Sequence, residues 1–395
     1  MLIKSKIGKL LWMEVAVVSL ICILAFVTGT SGEVLLGDKD GKFVKFTGNI
    51  QLQYHHSDPD NDDGEDEVFF RRLQPGIEGT LYKDWIGRIV FDIGKAADDN
   101  EVNLKDVYLQ YEGFDNVKIT IGNSNLPFSS EMLTSSKNQN LVERTFVGDH
   151  DYGTPARSAG VKVSGNMAEK KIECAAMVAM AALDQDAKKL DFESPVNNEE
   201  DFNEGVIAGG RIDFHPLGYL KMEQGDFKRE VKATFSLAAF TWANDDDNNT
   251  YTTNGVDTST GGKKPDVDKV TGFEVSGAFR GAGFSVDAQY NIFNAETVDP
   301  AVTKGIYKKG ETDLRNWAIE GGYMAVADKL EVVGGYESQD ADGYAEKWTR
   351  TSVGLNYFIQ KHDIKIQGTY RIGKNVNGVD GDDNDEIFIQ TQYVF

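Results

Sequence analysis

From residue 34 onward the chain alternates apolar and polar positions with a period of two, and it carries no sustained i, i+3, i+4, i+7 stripe. That is the pattern of half-buried strands rather than of amphipathic helices. In KFTGNIQLQY, Phe46, Gly48, Ile50, Leu52 and Tyr54 share one face, while Thr47, Asn49, Gln51 and Gln53 share the other. Leu73, Ile77 and Leu81 then oppose Arg72, Gln74, Glu78 and Thr80, and Trp85, Ile89, Phe91 and Ile93 oppose Arg88 and Asp92. Two more strands follow around Val107–Tyr111 and Val117–Ile121. Further stretches near 156–165, 171–183, 205–215, 230–241, 270–280, 284–292, 316–325, 330–338, 348–358, 364–372 and 387–395 bring the expected number to sixteen. The Ala-rich run at 172–183 would also suit a helix.

The connections alternate in length. Those after even-numbered strands are short, as at Lys83–Asp84, Gly113–Asn116, Asn166–Lys170, Gly281–Gly283, Val326–Lys329 and Ile359–Asp363, with 216–229 the exception. Those after odd-numbered strands are mostly long and polar: 55–67, 124–155, 184–204, 242–269, 293–315 and 373–386. Outer-membrane barrels have this asymmetry, with short periplasmic turns and long external loops.

A sheet with one apolar and one polar face needs two environments. A lipid-spanning barrel supplies hydrocarbon outside and water inside, and closure satisfies every backbone N–H and C=O. The expected fold is therefore all-β, a transmembrane antiparallel barrel of about sixteen strands. Trp85, Tyr111, Tyr290, Tyr323, Tyr336 and Tyr357 fall near strand ends on the apolar parity, as interface girdles require, although aromatic residues also favour strands in general. The competing architecture is a secreted, soluble β protein.

Composition fits the barrel. Of 395 residues, 40% are hydrophobic, 11% are aromatic and 41 are Gly, a thin apolar supply for a large soluble core. A net charge of −22 excludes the basic groove that nucleic acid requires. Residues 1–32 read as a signal peptide: Lys4, Lys6 and Lys9, an apolar run from Leu10 to Val27, then Gly29, Thr30, Ser31 and Gly32 before Glu33. An uncleaved anchor is the alternative. Cleavage would remove three Lys and one Glu and leave Cys174 as the single cysteine, so no intramolecular disulfide is expected. Residues 33–395 then form one barrel domain.

The final residues, IFIQTQYVF, place Ile387, Ile389, Tyr393 and Phe395 on one parity. This resembles the terminal signal read by barrel assembly machinery, with Tyr393 and Phe395 as its aromatic pair. Several phrases resemble the phosphate-selective porin O and P family: FFRRLQPGIEG near residue 70, IGNSNLPFSSEMLTSSKNQNLVERTF at 121–146, GGRIDFHPLG at 209–218, and the last strands. The resemblance implies a homotrimeric outer-membrane porin whose third external loop, here 124–155, folds into the lumen as a constriction. A plain surface loop is the alternative.

Nothing in the sequence points to an enzyme: there is no HExxH, no GxSxG and no P-loop, and the five His are scattered. The acidic tips DPDNDDGEDE, NDDDNN and DGDDNDE lack EF-hand spacing. They are solvated loops, or bridges through divalent cations to anionic outer-leaflet lipid and lipopolysaccharide. No cofactor or resident metal is expected. Selectivity in a pore comes from charges at its narrow part. The pore-lining and anion-binding candidates are Arg72, Arg88, Lys118, Lys137, Arg144, Arg157, Arg211 and Arg280. Arg72 and Arg144 stand at family-like motif positions; Lys162 and Lys232 share the lumen parity. Guanidinium and ammonium groups suit small oxyanions such as phosphate. The same parity carries Glu78, Asp92, Asp106, Asp213, Glu274, Asp287, Glu320 and Glu331, so a cation-preferring or general pore stays open, as does a structural or adhesion barrel without a channel.

Overall fold

Strand alternation carries through into sixteen long antiparallel strands. A computed structural model describes residues 34–37, 42–94, 102–184, 186–197, 204–245, 256–257 and 264–395. The expected leader at 1–32 and parts of the acidic connections lie outside the described residues. The strands are β1 (Phe43–Pro59), β2 (Glu65–Tyr82), β3 (Trp85–Asp92), β4 (Asn103–Phe114), β5 (Val117–Asn125), β6 (Arg157–Met167), β7 (Ile172–Leu183) and β8 (Glu204–Phe214). They continue as β9 (Lys232–Asn244), β10 (Val267–Gly281), β11 (Phe284–Thr297), β12 (Glu311–Val326), β13 (Leu330–Asp340), β14 (Trp348–Gln360), β15 (Ile364–Lys374) and β16 (Asn384–Val394).

Each strand pairs with its sequence neighbours, and β16 pairs with both β15 and β1, so the sheet closes without an edge. The Ala-rich β7 is a strand bonded on both sides, because a closed ladder outweighs the helical preference of its alanines. The backbone of Phe395 exchanges hydrogen bonds with Gly48 at 2.8 and 3.1 Å. Gly48 leaves room for the terminal ring: a Cβ there would lie 2.3 Å from the Phe395 ring. Tyr393 stands beside it at 5.7 Å.

Apolar residues such as Phe70, Ile77, Leu109, Val178, Phe235 and Leu355 are exposed on the outer face. Trp85 meets Tyr111 at 5.0 Å and Trp317 meets Tyr336 at 5.2 Å, while Tyr290, Tyr323 and Tyr357 are exposed. The 55–67 segment expected as a loop is largely strand, leaving a short tip between Pro59 and Glu65. Polar cross-strand contacts explain the extension: His56 and Tyr54 both meet Asp66, at 2.9 and 2.7 Å, and His55 meets Glu386 at 3.1 Å.

The lumen is only partly wet. Phe128, Phe192, Phe240, Trp242 and Phe293 form a buried apolar cluster inside the barrel, against β7–β12. External connections fold inward to cover it. The amide of Ile306 donates to Ala187 (2.9 Å), and that of Gly153 to Leu190 (2.7 Å). Polar-parity reasoning expects water along this wall; alternating aromatic residues here instead make a dry core.

Gly48→Val should force the terminal ring off its seat and destabilise closure by about 1–3 kcal/mol, the usual cost of overpacking. Heat-modifiable gel mobility checks this. Gly334→Ala, whose added carbon meets only the Ser352 carbonyl at 3.5 Å, should migrate like the parent.

Candidate permeation pathway

Residues 126–155 enter the barrel from the end of β5 and return at β6. A chain segment crossing a lumen must satisfy its own backbone groups, and the wall supplies the partners. One turn of helix, Ser130–Leu133, is capped by the Ser129 hydroxyl. Glu274 of β10 accepts from the amide and hydroxyl of Ser130, each at 3.2 Å. Gln289 of β11 accepts from the Glu131 amide (3.1 Å), Glu331 of β13 from the Asn140 side chain (3.2 Å), and Glu337 of β13 from the Phe146 amide (2.6 Å). Asn316, Asn356, Lys365 and Gln367 donate to loop carbonyls. The loop therefore lies over the acidic wall. Asp213, Glu274, Glu320, Glu331 and Glu337 are all buried.

On the opposite side, β16 and β1–β4 face the loop across two cavities. The external one, about 320 Å³, is lined by Arg71, Arg144, Arg350 and Arg371 with His55, Glu143, Asp149 and Glu386. The periplasmic one, about 280 Å³, is lined by Lys45, Arg88, Lys105, Lys137 and Arg157 with Asp106 and Asp363. On β1, inward residues step from Gln53 in the first cavity to Asn49 in the second, about 13 Å at the strand rise. Gln51 lies between them and accepts from Arg72 at 2.9 Å. Arg72 is thus at the level separating the cavities.

Two β-bulges supply cations that parity misses. Gln51 pairs with Arg72 while Leu52 pairs with Phe70, so Arg71 is an extra residue. It turns inward beside Arg72 and bonds Glu143 of the loop at 2.8 and 3.2 Å. Likewise Ile89 pairs with Val107 and Phe91 with Leu104, which turns both Lys105 and Asp106 inward. Such bulges commonly re-aim side chains at functional sites. The consecutive arginines after Phe69–Phe70 are the one sequence signal for the first bulge; the second leaves none. Arg350, which stacks on Phe146 at 4.2 Å and Trp348 at 4.5 Å, and Arg371 were likewise absent from the parity list.

The candidates from sequence separate into groups. Arg72, Arg88, Lys137, Arg144 and Arg157 surround the two cavities. Arg88 pairs with Glu78 (2.7 Å) and Asp106 (3.2 Å), and Arg157 pairs with Asp106 (2.7 Å). Arg72 and Lys137 have no carboxylate pair among the described residues, and the Arg144 guanidinium bonds the carbonyls of Met132 and Thr134. Lys118, paired with Glu112, lies at a separate periplasmic recess with Lys162. Lys232 bonds the Leu217 carbonyl at 3.2 Å.

Arg211 and Arg280 depart from their expected role because their charge is engaged by the scaffold. Arg211 is buried between Asp213 (2.8 Å) and Glu274 (2.9 Å), and it bonds Ser130 and the Phe128 carbonyl. Arg280 pairs with Asp287 (2.9 Å) and holds the Glu223 carbonyl. Both are struts beneath inward-folded segments.

On the loop itself, burial pushes the Glu143 carboxyl up, but Arg71 and then Arg72 outweigh it and hold it well below the usual carboxylate range. Burial opposes the charge on His150, yet the hydrogen bond and charge of Asp191, then Asp149 and Asp151, lift it to about 9. Asp149, His150 and Asp151 approach as a trio that suits a metal ion. His150 is already bound by Asp191 at 2.6 Å and Asp151 by Lys189 at 2.6 Å.

A closed sixteen-strand barrel with an apolar outer belt and an inward-folded third external loop defines an outer-membrane porin. The chain belongs to the phosphate-selective porin O and P family, whose model matches residues 44–395. It is 26% identical to Porin O of Pseudomonas aeruginosa over 417 residues, covering 92% of this chain and 90% of that protein. Solved structures share the fold. A loop L8 deletion mutant of OmpT from Vibrio cholerae aligns with a TM-score of 0.59 at 15% identity, over 90% of this chain and all of that one. An anion-selective porin from Comamonas acidovorans aligns with 0.59 at 11%, over 89% and 99%. The protein is a channel of the outer membrane, crossing it as a multi-pass β-barrel.

Removing Arg211 strands two buried carboxylates. Arg211→Met should lower stability by about 3–5 kcal/mol, as breaking a buried pair does, and raise single-channel conductance as the loop loosens; chemical unfolding and bilayer recording read the two effects. The His150–Asp191 contact should contribute fully below about pH 6.5 and be lost as pH rises through about 9. The stability gap between parent and His150→Gln should accordingly close over that window.

Proposed function

We propose that this porin passes small hydrophilic anions, phosphate among them, along the wall formed by β16 and β1–β4. The observation that carries this reading is the division of the lumen. The loop and its neighbours cover the carboxylates of β8 and β10–β13, while both open cavities face Arg and Lys. Arg72, Lys137 and Arg144 lack carboxylate partners among the described residues, and Nε of Arg144 and of Arg371 is buried without an acceptor. Guanidinium forks and ammonium groups of this kind bind oxyanions. Among the carboxylates on this side, Glu143, Asp106 and Asp92 each hold a cation in place, and Asp149, Glu386 and Asp363 also line the cavities.

The loop at 124–155 is the constriction in this reading. The chain works as a homotrimer, as the trimer form of Vibrio cholerae OmpT suggests by analogy. Its apolar belt meets lipid, its acidic tips meet lipopolysaccharide, and Tyr393 and Phe395 present the assembly signal. Residues 1–32 are removed on export, leaving one barrel domain.

Reversal potential under a KCl gradient tests the selectivity. In water a unit charge ~6 Å from an ion is worth roughly 0.7 kcal/mol, about a threefold change in local occupancy. Arg72→Ala and Lys105→Ala should each lower the anion-to-cation permeability ratio by about that factor or more, and Glu143→Gln should raise it. Cation preference in the parent would sink the anion reading.

A further inference from the structure

The connection between β8 and β9, residues 215–231, leaves the barrel on the side of the short turns, where an ordinary hairpin needs only a few residues. Instead it folds back into the lumen. Gln224 and Asp226 are buried although they belong to a connection. The Gln224 amide donates to the Asn138 carbonyl (3.0 Å), and its Oε1 accepts from the Asn140 amide (2.6 Å). Its carbonyl meets Nε2 of His362, in the β14–β15 turn, at 2.9 Å. Asp226 accepts from the Gly283 amide of the β10–β11 turn (2.7 Å). Arg280 grips the Glu223 carbonyl from the wall (2.8 Å), and Phe227 packs edge-on against Phe358 (4.9 Å) and His362 (5.1 Å).

These contacts reach three elements that are distant along the sheet, and they meet at the tip of the inward loop beside Lys137. We propose that residues 215–231 are a strap that closes the β8–β13 half of the pore from below and positions the loop tip from the periplasmic side. Gln224 is its central positioning residue. The strap confines permeating ions to the cation-lined wall, so the width and selectivity of the passage are set from both ends of the barrel. The selectivity part of this inference rests on the anion reading; the width part does not.

The asymmetry of the contacts supports the assignment. A connection that merely joined two strands would leave its amides to water. Here its backbone and side chains bond specifically to the loop that crosses the pore. The Gln224 side chain is the only one in the strap that bonds a loop amide among the described residues, so its loss weakens the hold of strap on loop to the backbone bond from Gln224 to Asn138 without touching the cavity cations.

The test compares the full-length trimer with Gln224→Ala and Phe227→Ala, each checked for folding by heat-modifiable mobility. Single-channel conductance in ~1 M KCl, where the Debye length of about 3 Å damps long-range electrostatics, should rise by roughly twofold in either variant. The anion-to-cation ratio should fall toward unity in both. Folded variants with parental conductance would overturn the strap. If Gln224→Ala does not fold, Phe227→Ala, which leaves every loop hydrogen bond in place, decides the question alone. A cation-selective parent would refute the anion reading while the conductance comparison still judged the strap.

Discussion

Everything inside this barrel depends on how a loop crosses its lumen without leaving backbone groups unpaired. The loop at 126–155 has no sheet to join, so side chains of the wall must stand in for one. Acceptors for its amides come from Glu274, Gln289 and Glu337, and donors for its carbonyls from Asn316, Asn356, Lys365 and Gln367. Carboxylates make strong acceptors for amide donors, which explains why an acidic wall is the natural seat for such a loop. Seating it there hides those carboxylates, and the opposite wall becomes the one that permeating ions meet.

That division reconciles the charge of the chain with its function. A total of −22 would repel anions if it were spread through the pore. Beneath the loop, Glu274 and Glu337 are engaged by its amides and Asp213 by Arg211, and the described acidic tip at 60–65 is exposed. The field along the passage is set by the cations that remain uncovered, because low-dielectric walls focus charge within a narrow aqueous space.

Strand parity made the fold legible: sixteen strands and their alternating connections follow from a period of two, while the inward loop was legible only through the family resemblance of 121–146. The site was legible only where that period holds. Arg88 obeys it and lines the periplasmic cavity, and Arg157 reaches the same cavity from the first residue of β6 although it shares parity with the exposed Val161 and Val163. Arg71 and Lys105 sit at bulges that shift the register by one residue. A single inserted residue reverses every side chain beyond it, so parity alone assigns Lys105 to lipid. Arg211 and Arg280 fail for a different reason. Parity correctly turns them inward, but only three-dimensional contacts reveal that Glu274 and Asp287 already hold their charge. The aromatic core against β7–β12 was hidden likewise, since Phe240 and Phe293 fall on the parity that turns to the lumen, where water is expected until loops are seen to cover them.

The pairing of the open cations also has a consequence for throughput. A pore must hold an ion well enough to admit it and weakly enough to let it go. Arg88, Lys105 and Arg157 share Asp92 and Asp106, which dilutes their pull on a passing anion and fixes their side chains toward the lumen. Arg72, Lys137 and Arg144 form no such ion pair among the described residues, Arg72 at the level separating the cavities and the other two on the loop, one at each cavity. In the proposed anion channel, a graded wall, strong at the narrowing and moderated below it, would draw an anion inward and then release it. The carboxylates that seemed to argue against an anion channel are what keep it from becoming a trap.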